Sequence, residues 1–166
     1  RAFGSDTVPG TYADLELADL IVLTGSNMAW CHPVLFQRIA AAKAARAKGP
    51  NPMRVVVVDP RKTATCELAD LHLPLKPDTD VALFTGLLRQ LARVGKLNHG
   101  YVEAFTEGSA EALRNAEPWT LERVAQHCEL APTDVATFYD WVASTAKSLT
   151  VYSQGVNQSS SGTDKV

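Results

Sequence analysis

The stretch LIVLTGSNMAWCHP, residues 20–33, decides the fold of this chain. Its first four residues are all apolar, which is typical of a strand buried on both faces. The apolar run stops at TGSN, where Gly25 permits a positive φ or a close backbone approach, and Pro33 suits the first position of a helix. A strand, a small polar turn and a helix start in this order predict a place for an anion such as phosphate. The alternative is an ordinary tight turn, since Gly, Ser and Asn are common in turns.

Length and composition predict one globular domain. The chain has 166 residues, of which 46% are hydrophobic and 20% are charged. A net charge of −2, without a cluster of basic residues, argues against nucleic acid as a partner. No apolar run is long enough to span a bilayer, so no membrane partner is predicted. The first residue is not methionine and the last residues resemble the start of a helix, so we expect a piece of a longer protein.

The three cysteines are widely spaced and show no C-x-x-C pair. Neither a disulfide scaffold nor a zinc ribbon is indicated, and a reducing, cytoplasmic compartment is the expectation. No Ser/His/Asp or Cys/His arrangement stands out. We therefore predict neither a catalytic residue nor a metal ligand in this chain.

Strand and helix signals alternate along the chain. Three more strands are predicted at residues 53–58, 71–75 and 149–153, the first of them containing four consecutive valines. Helical patterns follow at residues 33–48, 79–94 and 131–147, with short helical segments at 12–18 and 63–69 and a connecting segment at 1–11. Residues 98–130 lack strand signals and predict a small helical insertion. The expected fold is α/β, with a mainly parallel, Rossmann-like sheet of about four strands and helices on both faces.

Polar residues follow each predicted strand, and parallel sheets bind ligands beyond the carboxyl ends of their strands. Asp59 is positioned to contact a ribose or a base edge, and Arg61 to pair with phosphate. Their alternative roles are a capping carboxylate and a solvated cation. The dinucleotide fingerprint G-x-G-x-x-G is absent.

Two further segments carry groups that suit a heterocycle. Asp80, in KPDTD, could accept hydrogen bonds from the two adjacent N–H donors of guanine, or could simply complement a helix dipole. QGVNQ, residues 154–158, offers amide side chains around a glycine and is expected to be a loop. His32 is most simply a residue at a helix start, and Cys31 is the only cysteine near the expected site.

Taken together, GSNMAWCHP, VVVVDPRKTATCELADLHLPLKPDTDVAL and YSQGVNQSSSGTDK resemble the molybdopterin oxidoreductase family. The resemblance covers about residues 4–166 and is weakest at the helical insertion. It implies a molybdenum cofactor, molybdenum bis(molybdopterin guanine dinucleotide), and a 4Fe-4S cluster in the parent chain. It also implies a parent enzyme that reduces nitrate to nitrite with electrons from a donor protein or subunit.

The same resemblance implies which residues contact the cofactor. The turn after the first strand and the helix start would line one guanine dinucleotide, through Thr24, Gly25, Ser26, Asn27, Met28, Cys31 and His32. The segment after the second strand would hold the nucleoside, through Asp59, Pro60, Arg61, Lys62 and Thr63. Guanine and ribose would be reached by Asp78, Thr79 and Asp80. The pterin side would be approached by Gln154, Gly155, Asn157 and Gln158.

This sequence differs from the pattern of the family in three respects. The C-x-x-C-x-x-x-C cluster that binds iron and sulfur in the family is missing, as is the segment with the metal-ligating cysteine. Gln154 stands where many nitrate-reducing members have methionine. The 166 residues alone are therefore expected to show no turnover. The alternatives are the same domain of a formate dehydrogenase or periplasmic nitrate reductase, a non-catalytic Rossmann-like module, and the middle domain of a thiamine-diphosphate enzyme.

Overall fold

The structure, a computed structural model, describes residues 8–165 of the chain. Within that range one all-parallel sheet has the strand order β3-β2-β1-β4. The strands are β1 (Leu20–Thr24), β2 (Arg54–Val58), β3 (Leu71–Leu73) and β4 (Ser148–Tyr152). The predicted parallel sheet of about four strands is confirmed. Residues 1–7 of the predicted connecting segment lie outside the described part.

Helices cover both faces of the sheet, as predicted. On one face lie α1 (Asp14–Leu17), α2 (Met28–Cys31) and α3 (Pro33–Arg46), together with a 3-10 helix, Ala64–Leu68. The other face is covered by α4 (Asp80–Arg93), α7 (Leu121–Cys128) and α8 (Pro132–Ser144). The remaining helices are α5 (His99–Phe105), α6 (Ser109–Ala116), α9 (Gln154–Asn157) and α10 (Gly162–Lys165).

Each helical layer covers its own hydrophobic core. Side chains alternate along the central strands, so Leu20 and Val22 of β1 face α4, α7 and α8, while Ile21 and Leu23 face α1 to α3. Burying one such side chain contributes about 1.5–3 kcal/mol to folding. The buried apolar runs that predicted β1 and β2 therefore supply the centre of both cores.

The second layer is held together by a close approach of α4 to α7 and α8. A Cβ added to Gly86 of α4 would lie 2.5 Å from both Tyr139 Oη and Val124 Cγ2. Tyr139 is buried, and its hydroxyl donates to the Leu83 carbonyl at 2.7 Å. A larger residue at position 86 would push these helices apart.

Residues 98–130 form three helices, α5 to α7, without a strand. Thr120 caps α7 by accepting from the Arg123 N–H at the start of the helix. Val124, Ala125 and Cys128 of α7 are buried in the core beneath α4 and α8. This last helix therefore belongs to the layer that covers the sheet.

Two local expectations differ from the structure. QGVNQ is not a loop, because residues Gln154–Asn157 form α9, in which the Gly155 and Val156 N–H groups donate to Gly25 O and Ser153 O. The third strand ends at Leu73 rather than residue 75, since Pro74 has no N–H to extend the ladder. A short helix, α2 (Met28–Cys31), also lies between the predicted turn at residues 24–27 and the predicted helix that begins at Pro33.

Candidate functional site

The tips of three neighbouring strands are joined through Gly25. Its N–H donates to the Val58 carbonyl at the end of β2, at 2.8 Å, and its own carbonyl accepts from the Gly155 N–H after β4, at 2.9 Å. Gly25 has a φ of 54°, in the left-handed region. A Cβ added to Gly155 would lie 2.7 Å from both the Cα and the carbonyl oxygen of Gly25. The two glycines therefore allow a backbone contact that no other residue pair permits.

This contact lies where the chain topology reverses. The chain runs from β1 outward to β2 and β3 and then returns to the other side of β1 as β4. In open parallel sheets, ligands bind at such a reversal, beyond the carboxyl ends of the strands. The Gly25 turn and the start of α9 form that edge of the molecule.

A cavity of about 130 Å³ opens at the same edge. It is lined by Thr24, Gly25, Val58, Pro60, Leu75, Lys76, Pro77, Asp78, Asp80, Gly155, Val156 and Lys165. Pockets for whole ligands are typically about 300–1,000 Å³. A cavity of this volume would hold only part of such a ligand, and the rest would lie across its open rim.

Charged groups line one side of the cavity. Lys165 Nζ lies 2.8 Å from Asp78 Oδ1 and 3.2 Å from Asp80 Oδ1. The hydrogen bond to Asp78 raises the pKa of the Lys165 ammonium, which therefore stays charged at neutral pH. The second lysine of the lining, Lys76, is paired with Glu129 at 2.9 Å.

Three hydroxyls near the strand tips are buried without a partner. Within residues 8–165, no hydrogen bond satisfies Thr24 Oγ1, Ser26 Oγ or Thr63 Oγ1. A buried unpaired polar group costs about 1–3 kcal/mol. Such hydroxyls in the turns after β1 and β2 are donors that the oxygen atoms of a ligand could satisfy.

Asp59 and Arg61 form the polar end of β2. The Asp59 side chain is buried, and its Oδ1 accepts from the Arg61 N–H at 2.8 Å. The Arg61 side chain is 73% exposed and its Nε lies 3.7 Å from the same oxygen. Asp59 thus fixes the turn, and the guanidinium of Arg61 pairs loosely with it while most of the side chain remains exposed.

The structure brings six of the predicted contacts together in the cavity lining. These six are Thr24, Gly25, Pro60, Asp78, Asp80 and Gly155. The other predicted contacts are not part of that lining: Ser26, Asn27, Met28, Cys31, His32, Asp59, Arg61, Lys62, Thr63, Thr79, Gln154, Asn157 and Gln158.

Several of these outlying residues have structural partners. Met28 is packed in the core beneath α3. Asn27 Oδ1 accepts from the Thr65 hydroxyl at 3.3 Å. Thr79 precedes α4, but its hydroxyl donates to the Lys76 carbonyl at 2.7 Å and does not cap the helix. Cys31 and His32 are exposed at the junction of α2 and α3, and α9 exposes the side chain of Gln154.

Sequence reasoning missed Lys165 as a cavity residue. It lies 87 positions after Asp78, in a segment whose only local signal was the beginning of a helix. Lys76 was read as part of a polar loop, and its place in the lining depends on how that loop packs between β3 and α4. Neither contact has a local sequence pattern.

Residues 8–165 contain no group of three or more His, Cys, Asp or Glu side chains arranged to hold a metal ion. Burial raises the pKa of the Cys66 and Cys128 thiols, so neither is activated as a thiolate. In the same range, no helix combines the length and the apolar character that crossing a membrane requires.

Comparison with known proteins identifies the family. The family model described as molybdopterin oxidoreductase matches residues 3–166. The chain belongs to the molybdopterin oxidoreductase family. Membership in this family implies a molybdenum–pterin cofactor.

The relatives of this molybdopterin oxidoreductase chain include nitrate reductases. It is 48% identical to the nitrate reductase of Klebsiella oxytoca over 99% of the chain, and 49% identical to that of Shewanella frigidimarina over the same share. The chain spans only 18% and 17% of the length of those two proteins. Formate dehydrogenase subunits and a periplasmic nitrate reductase are among the more distant relatives.

A solved structure supports the fold. Acetylene hydratase from Pelobacter acetylenicus superposes with a TM-score of 0.71 over 88% of this chain and 19% of that protein, at 23% identity. At this level of identity the likeness concerns the arrangement of strands and helices. Three features of the site are compatible with the molybdenum–pterin cofactor that the family implies: the glycine contact, the unpaired hydroxyls and the carboxylates of the cavity.

Proposed function

We propose that this chain binds the guanine nucleotide part of the family's cofactor, molybdenum bis(molybdopterin guanine dinucleotide). Residues 1–166 would form that binding domain, with residues 98–130 as its helical insertion, within a longer nitrate reductase. The observation that carries the proposal is the cavity at the strand tips, which joins the Gly25–Gly155 contact to two carboxylates. The remaining domains of the parent chain would enclose the other parts of the cofactor.

The choice of guanine depends on Asp80. A carboxylate accepts two hydrogen bonds side by side, and guanine presents two adjacent N–H donors at its N1 and N2 positions. Adenine presents one donor and one acceptor on the matching edge, so a carboxylate can satisfy only half of it. Asp80 is largely buried, which strengthens a hydrogen bond made there. A guanine preference follows from this geometry.

The phosphates of the nucleotide require donors, and the segments at the ends of β1 and β2 contain several. Within residues 8–165 the buried hydroxyls of Thr24, Ser26 and Thr63 have no partner, and the exposed side chains of Arg61 and Lys62 follow β2. Arg61 can make paired hydrogen bonds to a phosphate, whereas Lys62 adds a point charge. Gln154 and Gln158 would then approach the pterin side.

The chemistry supplied by the bound cofactor would be oxygen-atom transfer, which converts nitrate to nitrite. This chain would bind and orient the cofactor. The 4Fe-4S cluster and the docking site for the electron donor would belong to the rest of the parent chain. Nitrate is proposed as substrate because both relatives that are almost half identical carry the name nitrate reductase. We also propose that the parent nitrate reductase is assimilatory and cytoplasmic.

A test compares GDP with ADP. We expect calorimetry to show that the 166-residue chain binds GDP at least about tenfold more tightly than ADP. Hydrogen bonds to a charged group contribute about 1.5–3 kcal/mol, so Asp80→Asn should weaken GDP binding by about 10- to 100-fold. ADP binding should not weaken, because adenine lacks the pair of adjacent donors that the carboxylate accepts from.

The matched control is Asp140→Asn, which neutralises an exposed carboxylate on α8. This control should leave both affinities unchanged, and circular dichroism should confirm that each variant is folded. Equal affinity of the wild-type chain for GDP and ADP, or no binding of either, contradicts the proposal and favours a non-catalytic Rossmann-like module.

A further inference from the structure

Lys165 connects the two segments that form opposite sides of the cavity. It lies at the end of α10, beyond β4, and its Nζ contacts Asp78 and Asp80 of the segment between β3 and α4. Only 8% of the Lys165 side chain is exposed. An ammonium withdrawn this far from water requires anionic partners, and both partners belong to the cavity lining. The contact is therefore part of the site.

The two carboxylates differ in their surroundings. The Asp80 side chain is 14% exposed, whereas the Asp78 side chain is 63% exposed and its backbone φ is 66°. Asp80 and Lys165 thus form the buried ion pair, and Asp78 lies on its solvent side and contacts the same ammonium. Without the ammonium, the Asp80 carboxylate would be buried with no cation beside it among residues 8–165.

The ion pairs leave both groups able to bind a ligand. A carboxylate has about four acceptor positions, and Lys165 engages one oxygen of Asp80. Two adjacent N–H donors of a base can still approach the same carboxylate. The ammonium has three donors, two of which point to Asp78 and Asp80, so one remains for an oxygen of the ligand.

Charge makes the presence of Lys165 important for a phosphorylated ligand. Two carboxylates and one ammonium give the cluster a net charge of −1. Removal of the ammonium would leave the cluster with a net charge of −2 facing the cavity, because the other lysine of the lining is already paired with Glu129. Like charges at such short range repel a nucleotide that carries phosphates.

We propose that Lys165 is a positioning residue of the nucleotide site, which orients the Asp80 carboxylate and cancels one of the two negative charges that face the ligand. This inference rests on the proposed function. It differs from a plug, in which the ammonium would occupy the position of the base and leave on binding. A plug and a positioning residue predict opposite effects of removing the charge.

The test measures GDP and guanosine binding to the 166-residue chain by calorimetry. Lys165→Met should weaken guanosine binding by about threefold, because the Asp80 carboxylate is no longer held in place, and GDP binding by about tenfold or more, because GDP also carries phosphates. Lys165→Arg should retain the affinity for GDP. Lys48→Met, which removes an exposed charge after α3, is the matched control and should change neither affinity.

A second variant changes the net charge of the same cluster in the opposite direction. Asp78→Asn removes the exposed carboxylate and brings the cluster to neutrality, so GDP should bind more tightly relative to guanosine. This variant also serves if Lys165→Met does not fold, as judged by thermal unfolding.

The outcomes separate the two proposals. Tighter GDP binding by Lys165→Met supports the plug and overturns the inference, as does an equal loss for GDP and guanosine, which indicates a structural role alone. Unchanged binding by both variants overturns the role of Lys165 while the proposed function stands. A wild-type chain that binds neither GDP nor guanosine overturns the proposed function and this inference with it.

Discussion

At the scale of single residues, Gly25 and Gly155 determine whether the site can form. Gly25 could be anticipated, because a glycine directly after a buried strand is typical of a close backbone approach. Gly155 could not, since its significance comes from contact with a residue 130 positions earlier in the chain. The same holds for Lys165, whose carboxylate partners lie far away in sequence. The sequence shows which residue types lie at the strand ends, but only the folded structure shows which of them contact one another.

The glycine contact gives a direct prediction. Gly155→Ala should lower the free energy of unfolding by about 1–3 kcal/mol, because the added methyl overlaps the Gly25 backbone, which cannot move aside as a flexible side chain would. Urea unfolding measures this loss, and GDP binding should weaken in parallel as the tips of β1 and β4 separate.

Gly100→Ala is the control for that substitution. Gly100 is also helical, and a Cβ there meets only the Asn98 side chain, at 3.7 Å. Alanine should therefore be neutral or stabilising by up to about 1 kcal/mol. Equal stability of both variants would contradict the account of the glycine contact.

At the scale of elements, long apolar patterns were predictable, whereas the short helices α2 and α9 were not. The runs in β1 and β2 predicted strands buried on both faces, and the helical patterns at residues 79–94 and 131–147 predicted α4 and α8. By contrast, α2 has four residues and is fixed by its surroundings, since the Ala29 N–H donates to the Thr65 hydroxyl in the 3-10 helix. α9 is likewise tied to the turn after β1. Elements shorter than one repeat of a pattern leave no periodic signal in the sequence.

Packing between α4 and α8 makes stability sensitive to alkaline pH. Burial raises the pKa of the Tyr139 hydroxyl above its ordinary value of about 10, with the neighbouring Cys128 thiol as a smaller cause. The folded state therefore favours the neutral hydroxyl. Its stabilising contribution is complete below about pH 10 and declines as the pH rises above that value, because only the unfolded chain then ionises readily.

Comparison with Tyr139→Phe isolates this effect, since phenylalanine keeps the ring but has no ionisable group. The variant should lose about 1 kcal/mol at pH 8 through the missing hydrogen bond to Leu83. Between pH 9 and pH 11 the stability difference should narrow by about 1 kcal/mol. Parallel stability curves from urea unfolding over this range would show that Tyr139 ionises equally well in the folded chain.

At the scale of the whole molecule, fold class and strand-end chemistry combined to predict the location of the site. A parallel sheet delivers its carboxyl ends to one edge, so Asp80 and the residues after Gly25 could be expected near one another. The particular lining could not be deduced, because it depends on how the segment after β3 folds back over β2 and how α9 meets the β1 turn. Thirteen predicted contacts consequently lie outside the cavity lining.

The central claim, that one edge of the sheet binds a guanine nucleotide, is tested most directly by chemical-shift mapping. The chain would be labelled with ¹⁵N and titrated with GDP, and amide shifts would be followed residue by residue. We expect the largest changes at Gly25, Ser26, Asp80 and Gly155, with α5 and α6 unaffected. Largest changes on α5 or α6, or no change at these four amides in excess GDP, would contradict the account.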